Sequence, residues 1–208
     1  MSRAGERVLI PAAAGTLEML VERPGVPPRG VALIAHPHPL FGGTLENKVV
    51  QTLARTFHEL GYVALRPNFR GVGASSGVHD CGEGETEDML QAAAWAHQEL
   101  GRCPTVLAGF SFGAYVQTRV AKRLSAERLV LVGLAAGQVA GERNYAPEEV
   151  PPDTLVIHGE RDETVALQSV FDWARPQGLP VVVIPGADHF FHRRLHIIRS
   201  IVKGSWKS

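Results

Sequence analysis

Thr105-Val-Leu-Ala-Gly-Phe-Ser111-Phe-Gly-Ala-Tyr-Val116 is the stretch from which the fold of this chain can be predicted. An apolar run enters a short turn bounded by glycines, and an amphipathic segment continues to Leu124. This order predicts a β-strand, a tight turn centred on Ser111 and an α-helix. A turn this sharp strains the backbone of its central residue, and the flanking glycines leave the room that the turn requires.

Gly109-Phe-Ser-Phe-Gly113 also matches the pattern G-x-S-x-G, which presents a serine as a nucleophile above a sheet. The pattern alone also occurs in ordinary strand–helix loops, so the flanking strand and helix are what favour a nucleophile at Ser111. A serine hydroxyl attacks a carbonyl only with an adjacent base, itself oriented by a third group. A histidine and a carboxylate should therefore follow later in the chain.

Outside this stretch, apolar runs alternate with helical patterns along the chain. Strands are predicted at 31–36, 62–67, 105–110, 128–134, 154–158 and 180–184, and helices at 49–60, 85–100, 112–124, 165–174 and 195–202. Such alternation predicts an α/β fold with a mostly parallel central sheet and helices on both faces. Two short strands within 8–22 indicate a hairpin at the sheet edge. We expect a single domain over 1–208, with a polar connector at 135–153 that is too short for a helical cap domain.

The orienting acid should follow a late strand, and 154–158 runs directly into Gly159-Glu-Arg-Asp162. We predict Asp162 in this role, although a turn or helix-capping aspartate would give the same pattern. Glu160 and Glu163 are the alternatives, with the simpler interpretation that both are solvated loop charges.

The base should follow the next strand, which ends in Pro185-Gly-Ala-Asp188-His189. We predict His189 because it comes first in the loop, where it can reach back to Ser111. His192 and His196 should turn away on the last helix. Asp188 is interpreted as a residue that shapes the loop.

An oxyanion hole needs two N–H donors, one of which should be the N–H of Phe112, directly after the nucleophile. The other should come from the loop His36-Pro-His-Pro-Leu-Phe-Gly-Gly43. Its prolines have no N–H, which leaves His38, Leu40 and Phe41, and we favour Leu40. The apolar walls of the substrate pocket are predicted to be aromatic, formed by Phe41, Phe110, Phe190 and Phe191.

Other chemistries are less well supported by the sequence. His36 and His38 could suggest a metal site, but no carboxylate lies nearby, so both imidazoles are expected to brace their loop by hydrogen bonds. The glycine-rich stretch 71–77 lacks the Lys-Ser/Thr of a phosphate-binding loop. No metal and no cofactor are therefore expected.

The composition is consistent with a soluble globular protein. The 208 residues contain 21 Lys plus Arg and 21 Asp plus Glu, so no net charge favours nucleic acid or an anionic membrane. The two cysteines, without a metal or redox spacing, and the absence of a long apolar leader favour a cytoplasmic location.

With these loops in place, the chain resembles the α/β-hydrolase superfamily over residues 30–202. The matching motifs are Asn68-Phe-Arg-Gly-Val-Gly-Ala-Ser75, Gly109–Gly113, His158-Gly-Glu-Arg-Asp162 and Gly186-Ala-Asp-His189. It looks most like small lidless bacterial predicted hydrolases with His-Pro-His-Pro loops, near the dienelactone-hydrolase and serine-aminopeptidase-like branches. The resemblance implies Ser111 as nucleophile, His189 as base and Asp162 as acid. Many relatives carry His-Gly where this chain has His-Pro.

The expected activity is that of a serine esterase, which transfers the acyl group of a small ester or thioester to water through an acyl-enzyme. A serine peptidase or amidase using the same residues, or a binding protein without catalysis, is the alternative. The expected partner is a small-molecule acyl substrate, and a homodimer is compatible with the sequence.

Overall fold

Strands and helices alternate along the chain in the computed structural model, which describes residues 5–141 and 143–206. The strands are β1 (Glu6–Ala12), β2 (Gly15–Glu22), β3 (Gly30–Ala35), β4 (Tyr62–Pro67), β5 (Thr105–Phe110), β6 (Arg128–Val132), β7 (Gly137–Val139), β8 (Arg143–Tyr145), β9 (Leu155–Gly159) and β10 (Val181–Ile184). The α-helices are α1 (Lys48–Glu59), α2 (Glu83–Leu100), α3 (Phe112–Ala121), α4 (Leu167–Ala174) and α5 (Leu195–Ser205). Each predicted strand and helix is present, with ends that differ by a few residues.

Eight strands form the central sheet in the order β1-β2-β4-β3-β5-β6-β9-β10. Every pair from β4 to β10 is parallel, whereas β1 and β2 pair antiparallel and β2 adds antiparallel to β4. The predicted edge hairpin and mostly parallel sheet are confirmed. This is the α/β-hydrolase fold without a large cap domain.

The sheet is buried on both faces because its central strands are continuously apolar. In β3, Val31, Leu33 and Ala35 contribute to the core beneath α2, α3 and α4. Ala32 and Ile34 contribute to the opposite core, beneath α1 and α5. Since successive side chains of a strand point to opposite faces, one apolar run supplies both cores. These cores hold the sheet rigid under the loops that leave it.

The carboxyl ends of the parallel strands lie along one edge of the sheet, where such folds place their sites. The loops after β3, β5, β9 and β10 all leave the sheet at this edge. They include His36–Gly43, Ser111, Asp162 and His189. The parallel topology therefore brings together residues that are far apart in sequence.

The connector at 135–153 contains a short hairpin that the sequence pattern did not predict. Its strands, β7 and β8, pair antiparallel, and Val139 bridges to Val165 beside the loop after β9. Three-residue strands are too short to show a period-2 alternation, which explains why they were missed. The hairpin thereby lies next to the loop that carries Asp162.

No helix among residues 5–141 and 143–206 combines the length and the apolar character needed to cross a membrane.

Candidate active site

The turn at Ser111 has the strained backbone that the sequence predicts. Ser111 has φ 57° and ψ −119°, a conformation that L-residues rarely adopt. A Cβ on Gly109 would lie 2.5 Å from the backbone of Gly113, and one on Gly113 would lie 2.4 Å from the His36 carbonyl oxygen. Only glycine fits at either position. The two glycines therefore allow the turn that raises Ser111 at the start of α3.

The imidazole of His189 connects Ser111 to Asp162. Its Nε2 lies 3.0 Å from Ser111 Oγ, and its Nδ1 lies 2.6 Å from Asp162 Oδ2. All three side chains are buried or nearly so, with exposed fractions of 5–8%. The structure thus brings together the three residues that the sequence pointed to, in the geometry of a nucleophile, a base and an orienting acid.

Asp162 is held by its own loop as well as by His189. Its Oδ1 accepts the backbone N–H groups of Thr164 (2.9 Å) and Val165 (2.7 Å), while Oδ2 faces the imidazole. These two hydrogen bonds fix the orientation of the carboxylate, so that Oδ2 points at the imidazole. Asp162 therefore also forms the turn that was the simpler interpretation of its pattern, and these hydrogen bonds fix its carboxylate.

His158 is a neighbour of Asp162 for which the sequence pattern predicted no role. It is fully buried in β9, its Nε2 lies 3.4 Å from Asp162 Oδ2, and it also donates to the Val165 carbonyl at 3.0 Å. Burial lowers the pKa of His158, so it is a neutral donor. The four-residue spacing to Asp162 was the signal that could have found it.

The residues considered as alternatives have other partners. Glu160 accepts the Gly186 N–H at 2.6 Å, which ties two loops together, and Glu163 is exposed. Asp188 binds His192, with 2.6 Å between Oδ2 and Nδ1, on the surface. None of these carboxylates contacts the imidazole of His189, which favours Asp162 as its partner.

The prediction that the Leu40 N–H is the second oxyanion donor is wrong. Its N–H donates to His38 Nδ1 at 3.2 Å, its side chain is 69% exposed, and it does not line the cavity beside Ser111. The Phe41 N–H donates to the His38 carbonyl at 3.1 Å. A short 3-10 turn at Pro39–Phe41 folds these two donors inward, which the sequence did not indicate.

His38 is left as the donor candidate of this loop. Its backbone N–H has no acceptor among the described residues, and the residue lines the same cavity as Ser111. The N–H of Phe112, at the first position of α3, likewise has no acceptor in the described part of the chain, as expected at a helix N-terminus. Of the donors that the sequence predicted, these two N–H groups are the ones still available to an oxyanion.

Both imidazoles of this loop brace it by hydrogen bonds, as predicted. His36 donates from Nδ1 to the Pro37 carbonyl (2.7 Å) and accepts the Phe69 N–H on Nε2 (2.9 Å). Burial lowers the pKa of His36 to about 4. Burial, together with the nearby His79 and Arg143, also lowers the pKa of His38 to about 4. Both rings are therefore neutral at pH 7 and can accept hydrogen bonds.

A cavity of about 380 Å³ lies over Ser111 and His189. Phe41 and Phe190 line it, as predicted, and are 67% and 49% exposed. The prediction of Phe110 and Phe191 as walls is wrong, since both are fully buried. Phe110 packs beneath the His189 ring, with 5.0 Å between ring centroids. Strand alternation turns it into the core, so it supports the base.

The β7–β8 hairpin supplies the remaining wall, through Ala140, Gly141 and Arg143. The guanidinium carbon of Arg143 lies 4.1 Å from the centroid of the Phe41 ring, a cation–π contact that joins the hairpin to the loop after β3. No sequence signal had pointed to Arg143. The cavity thus has a floor at the edge of the sheet and a rim built from the loops after β3 and β10 and from the β7–β8 hairpin.

The chain is similar in sequence to one described family and to one bacterial relative. Residues 16–148 match the family described as X-Pro dipeptidyl-peptidase (S15 family). An uncharacterised protein of Rickettsia prowazekii (strain Madrid E) is 30% identical over 186 residues, covering 85% of this chain and 78% of that protein.

Solved structures are similar over nearly the whole chain. A serine hydrolase without a lid from Xanthomonas campestris superposes with a TM-score of 0.89 at 34% identity, covering 99% of this chain and 94% of its own. An alpha-beta serine hydrolase homologue from Coxiella burnetii gives a TM-score of 0.87 at 36% identity, with both chains covered completely. The lidless architecture predicted from the connector length is shared with the first of these structures.

Proposed function

This chain belongs to the serine-hydrolase family described as X-Pro dipeptidyl-peptidase (S15 family), and we propose that it hydrolyses small esters or thioesters through Ser111, His189 and Asp162. The single observation that carries this proposal is the geometry of one imidazole. His189 lies within hydrogen-bond distance of the Ser111 hydroxyl on one nitrogen and of the Asp162 carboxylate on the other.

In this mechanism, His189 Nε2 takes the hydroxyl proton while Ser111 Oγ attacks the carbonyl carbon. Asp162 accepts the Nδ1–H, which fixes the tautomer and stabilises the imidazolium. The carbonyl oxygen becomes an oxyanion that accepts hydrogen bonds from the Phe112 and His38 N–H groups. His189 then gives its proton to the departing oxygen or sulfur. Water repeats these steps to release the acid and restore the Ser111 hydroxyl.

The size of the cavity supports a small acyl group. A volume of about 380 Å³ is at the lower end for ligand sites, and the exposed Phe41 and Phe190 leave its mouth open. Two loops close to the sheet form the rim, and the 135–153 connector adds a hairpin of three-residue strands. Long acyl chains would extend past the rim into water, so their additional methylene groups would gain little from burial.

Peptidase action is a second candidate, and the family match specifically favours it. A dipeptidyl-peptidase must bind the N-terminal ammonium of its substrate, which calls for a carboxylate beside the nucleophile. The described residues that line the cavity include Arg143 and no aspartate or glutamate. Within this cavity the charge pattern favours an ester over a free peptide N-terminus, whereas Glu163 and Asp188 line an adjoining depression that also reaches His189.

The activated serine is tested by labelling the intact protein with a fluorophosphonate probe. We expect rapid labelling of the wild type and none of Ser111→Ala, because the probe reacts only with an activated hydroxyl. Failure of the wild type to label would reject the proposed nucleophile and favour a binding protein without catalysis.

The bond type is tested separately with matched p-nitrophenyl esters and X-Pro p-nitroanilides. We expect ester hydrolysis to exceed anilide hydrolysis by at least ~10³-fold in kcat/KM, more than the intrinsic reactivity of the substrates explains after correction for their spontaneous rates. Comparable corrected values for the two substrates would assign the site to peptidase action.

A further inference from the structure

Arg143 offers unused hydrogen-bond donors to the cavity. Its Nε and Nη2 both donate to the Ala140 carbonyl, at 3.1 and 2.6 Å, which holds the guanidinium against its own hairpin. Contact with the Phe41 ring at 4.1 Å fixes one face of the group. A guanidinium has five N–H groups; the Ala140 carbonyl accepts two of them and the Tyr145 hydroxyl a third, so two are left for another acceptor. The side chain is therefore positioned in advance and only partly satisfied.

The charge of Arg143 is not balanced by its described neighbours. Among residues 5–141 and 143–206, no carboxylate forms a salt bridge with it. Burial raises the pKa of the Tyr145 phenol, the nearby group that could otherwise be an anion, so Tyr145 is neutral at pH 7. His38, which lines the same cavity, is neutral because its pKa is lowered to about 4. A positive charge thus faces the cavity over Ser111.

Two further polar residues line the cavity as potential donors. Asn47 uses its Oδ1 to accept the Val49 and Val50 N–H groups at the start of α1, so its side-chain amide N–H groups remain for a ligand. Thr164 lines the opposite side, with its backbone N–H bound to Asp162 and its hydroxyl available. The polar part of the cavity is rich in donors, which is the chemistry of an anion site.

We propose that the substrate carries an anionic group, a carboxylate or a phosphate, that binds Arg143 while Ser111 attacks the ester carbonyl. This inference rests on the proposed function, since it names the substrate class of that same site. A charge-assisted hydrogen bond in a half-buried site discriminates more strongly than a contact in open water. Arg143 is thus the specificity residue.

The test compares charged and neutral esters of the same length on the same enzyme preparation. One pair, p-nitrophenyl hydrogen adipate and its methyl ester, places the charge on the acyl group. A second pair, 4-acetoxybenzoate and its methyl ester, places it on the leaving group. For each pair the ratio of kcat/KM, charged over neutral, cancels differences in active fraction between preparations. We expect at least a tenfold preference of the wild type for the charged ester of one pair, and that pair identifies the side that carries the charge.

Arg143→Gln should lower this ratio at least tenfold, because the amide keeps donors but loses the charge. Arg143→Lys should retain part of it, and 0.5 M NaCl should reduce it. The matched control is Arg161→Gln. Arg161 is exposed and lines an adjoining depression together with Glu163 and Asp188, so this variant should leave the charged-over-neutral ratio unchanged. A ratio near one for both pairs, or one lost in Arg161→Gln and kept in Arg143→Gln, would overturn the proposal. If the wild type hydrolysed none of the four esters and did not label with fluorophosphonate, the proposed function itself would be rejected, and this inference with it.

Discussion

The floor and the rim of the cavity are built in opposite ways. The floor consists of Ser111 and His189, with Asp162 behind the imidazole; all three follow the ends of strands, are 5–8% exposed and are connected by hydrogen bonds. The rim consists of Phe41, Phe190 and Arg143, which lie on loops and on a short hairpin. Two of the three are about half exposed or more. A rigid sheet can hold atoms at reaction distance, whereas surface loops can vary without loss of fold. The floor would set the chemistry and the rim the choice of substrate.

Removing the proposed nucleophile should give the largest loss of activity. Ser111→Ala should lower kcat for a p-nitrophenyl ester by on the order of 10⁶-fold, because no other hydroxyl contacts His189 Nε2 in the described structure. Steady-state kinetics, after subtraction of spontaneous hydrolysis, measure this. Wild-type rates in the purified, folded variant would show that Ser111 is not the nucleophile.

Neutralising the proposed orienting acid should give the next largest loss of kcat. Asp162→Asn should lower kcat on the order of 10⁴-fold, since an amide cannot stabilise the imidazolium and selects the wrong tautomer of His189. Circular dichroism melting controls for the loss of the loop hydrogen bonds to Thr164 and Val165. Glu160→Gln is the matched variant, and an equal loss of kcat there would contradict the assignment.

The oxyanion loop can be tested by removing a single N–H. His38 has φ −55°, within the range of proline, so His38→Pro removes the N–H with little change in that dihedral angle. His38→Ala keeps the N–H and removes the same imidazole. We expect kcat of the proline variant to lie 10²–10³-fold below that of the alanine variant. Equal kcat values would exclude His38 as the donor.

His36 should make the stability of the folded protein depend on pH. Its pKa is lowered to about 4 in the folded state from 6.5, because the neutral ring is buried. The unfolded chain therefore binds more protons between pH 6.5 and 4, and stability falls as the pH falls through that window. This one group should lower the free energy of unfolding by about 2 kcal/mol between pH 7 and 5.

Urea unfolding of the wild type and His36→Gln at both pH values measures this contribution. The variant should lose less stability between pH 7 and 5 than the wild type by that amount, whatever its absolute stability. Parallel pH dependence in the two proteins would contradict the neutral, buried state of His36.

Truncating Phe41, on the rim of the cavity, should have the smallest effect on activity. Phe41→Ala should raise KM for a neutral ester about fivefold with a smaller change in kcat, because a largely exposed ring on the rim contributes binding shared by ground and transition states. Leu40→Ala, a neighbour that is equally exposed but does not line the cavity, is the control. A loss of kcat in Phe41→Ala comparable to that in the floor variants would remove the distinction between floor and rim.

Local patterns predicted the floor well because its residues follow strands. The apolar runs before Ser111, Asp162 and His189 are four to six residues long, enough to be recognised as strands, and parallel strands bring their carboxyl ends to one edge. The rim was predicted less well. Phe110 and Phe191 were assigned to the cavity although their side chains point into the core, and Leu40 was chosen as a donor although a 3-10 turn uses its N–H. Arg143 lies in a hairpin too short to be seen in sequence.

The sequence by itself determined the order of strands and helices, the turn at Ser111 and the chain positions of an acid and a histidine, because periodicity and tight turns are local properties of the backbone. Only the tertiary structure decided which N–H groups remain available, which aromatic rings face the cavity and that an arginine lies above it. Those features depend on contacts between loops, such as Arg143 with Phe41, whose partners are set by how the sheet orients each loop and not by their neighbours in sequence.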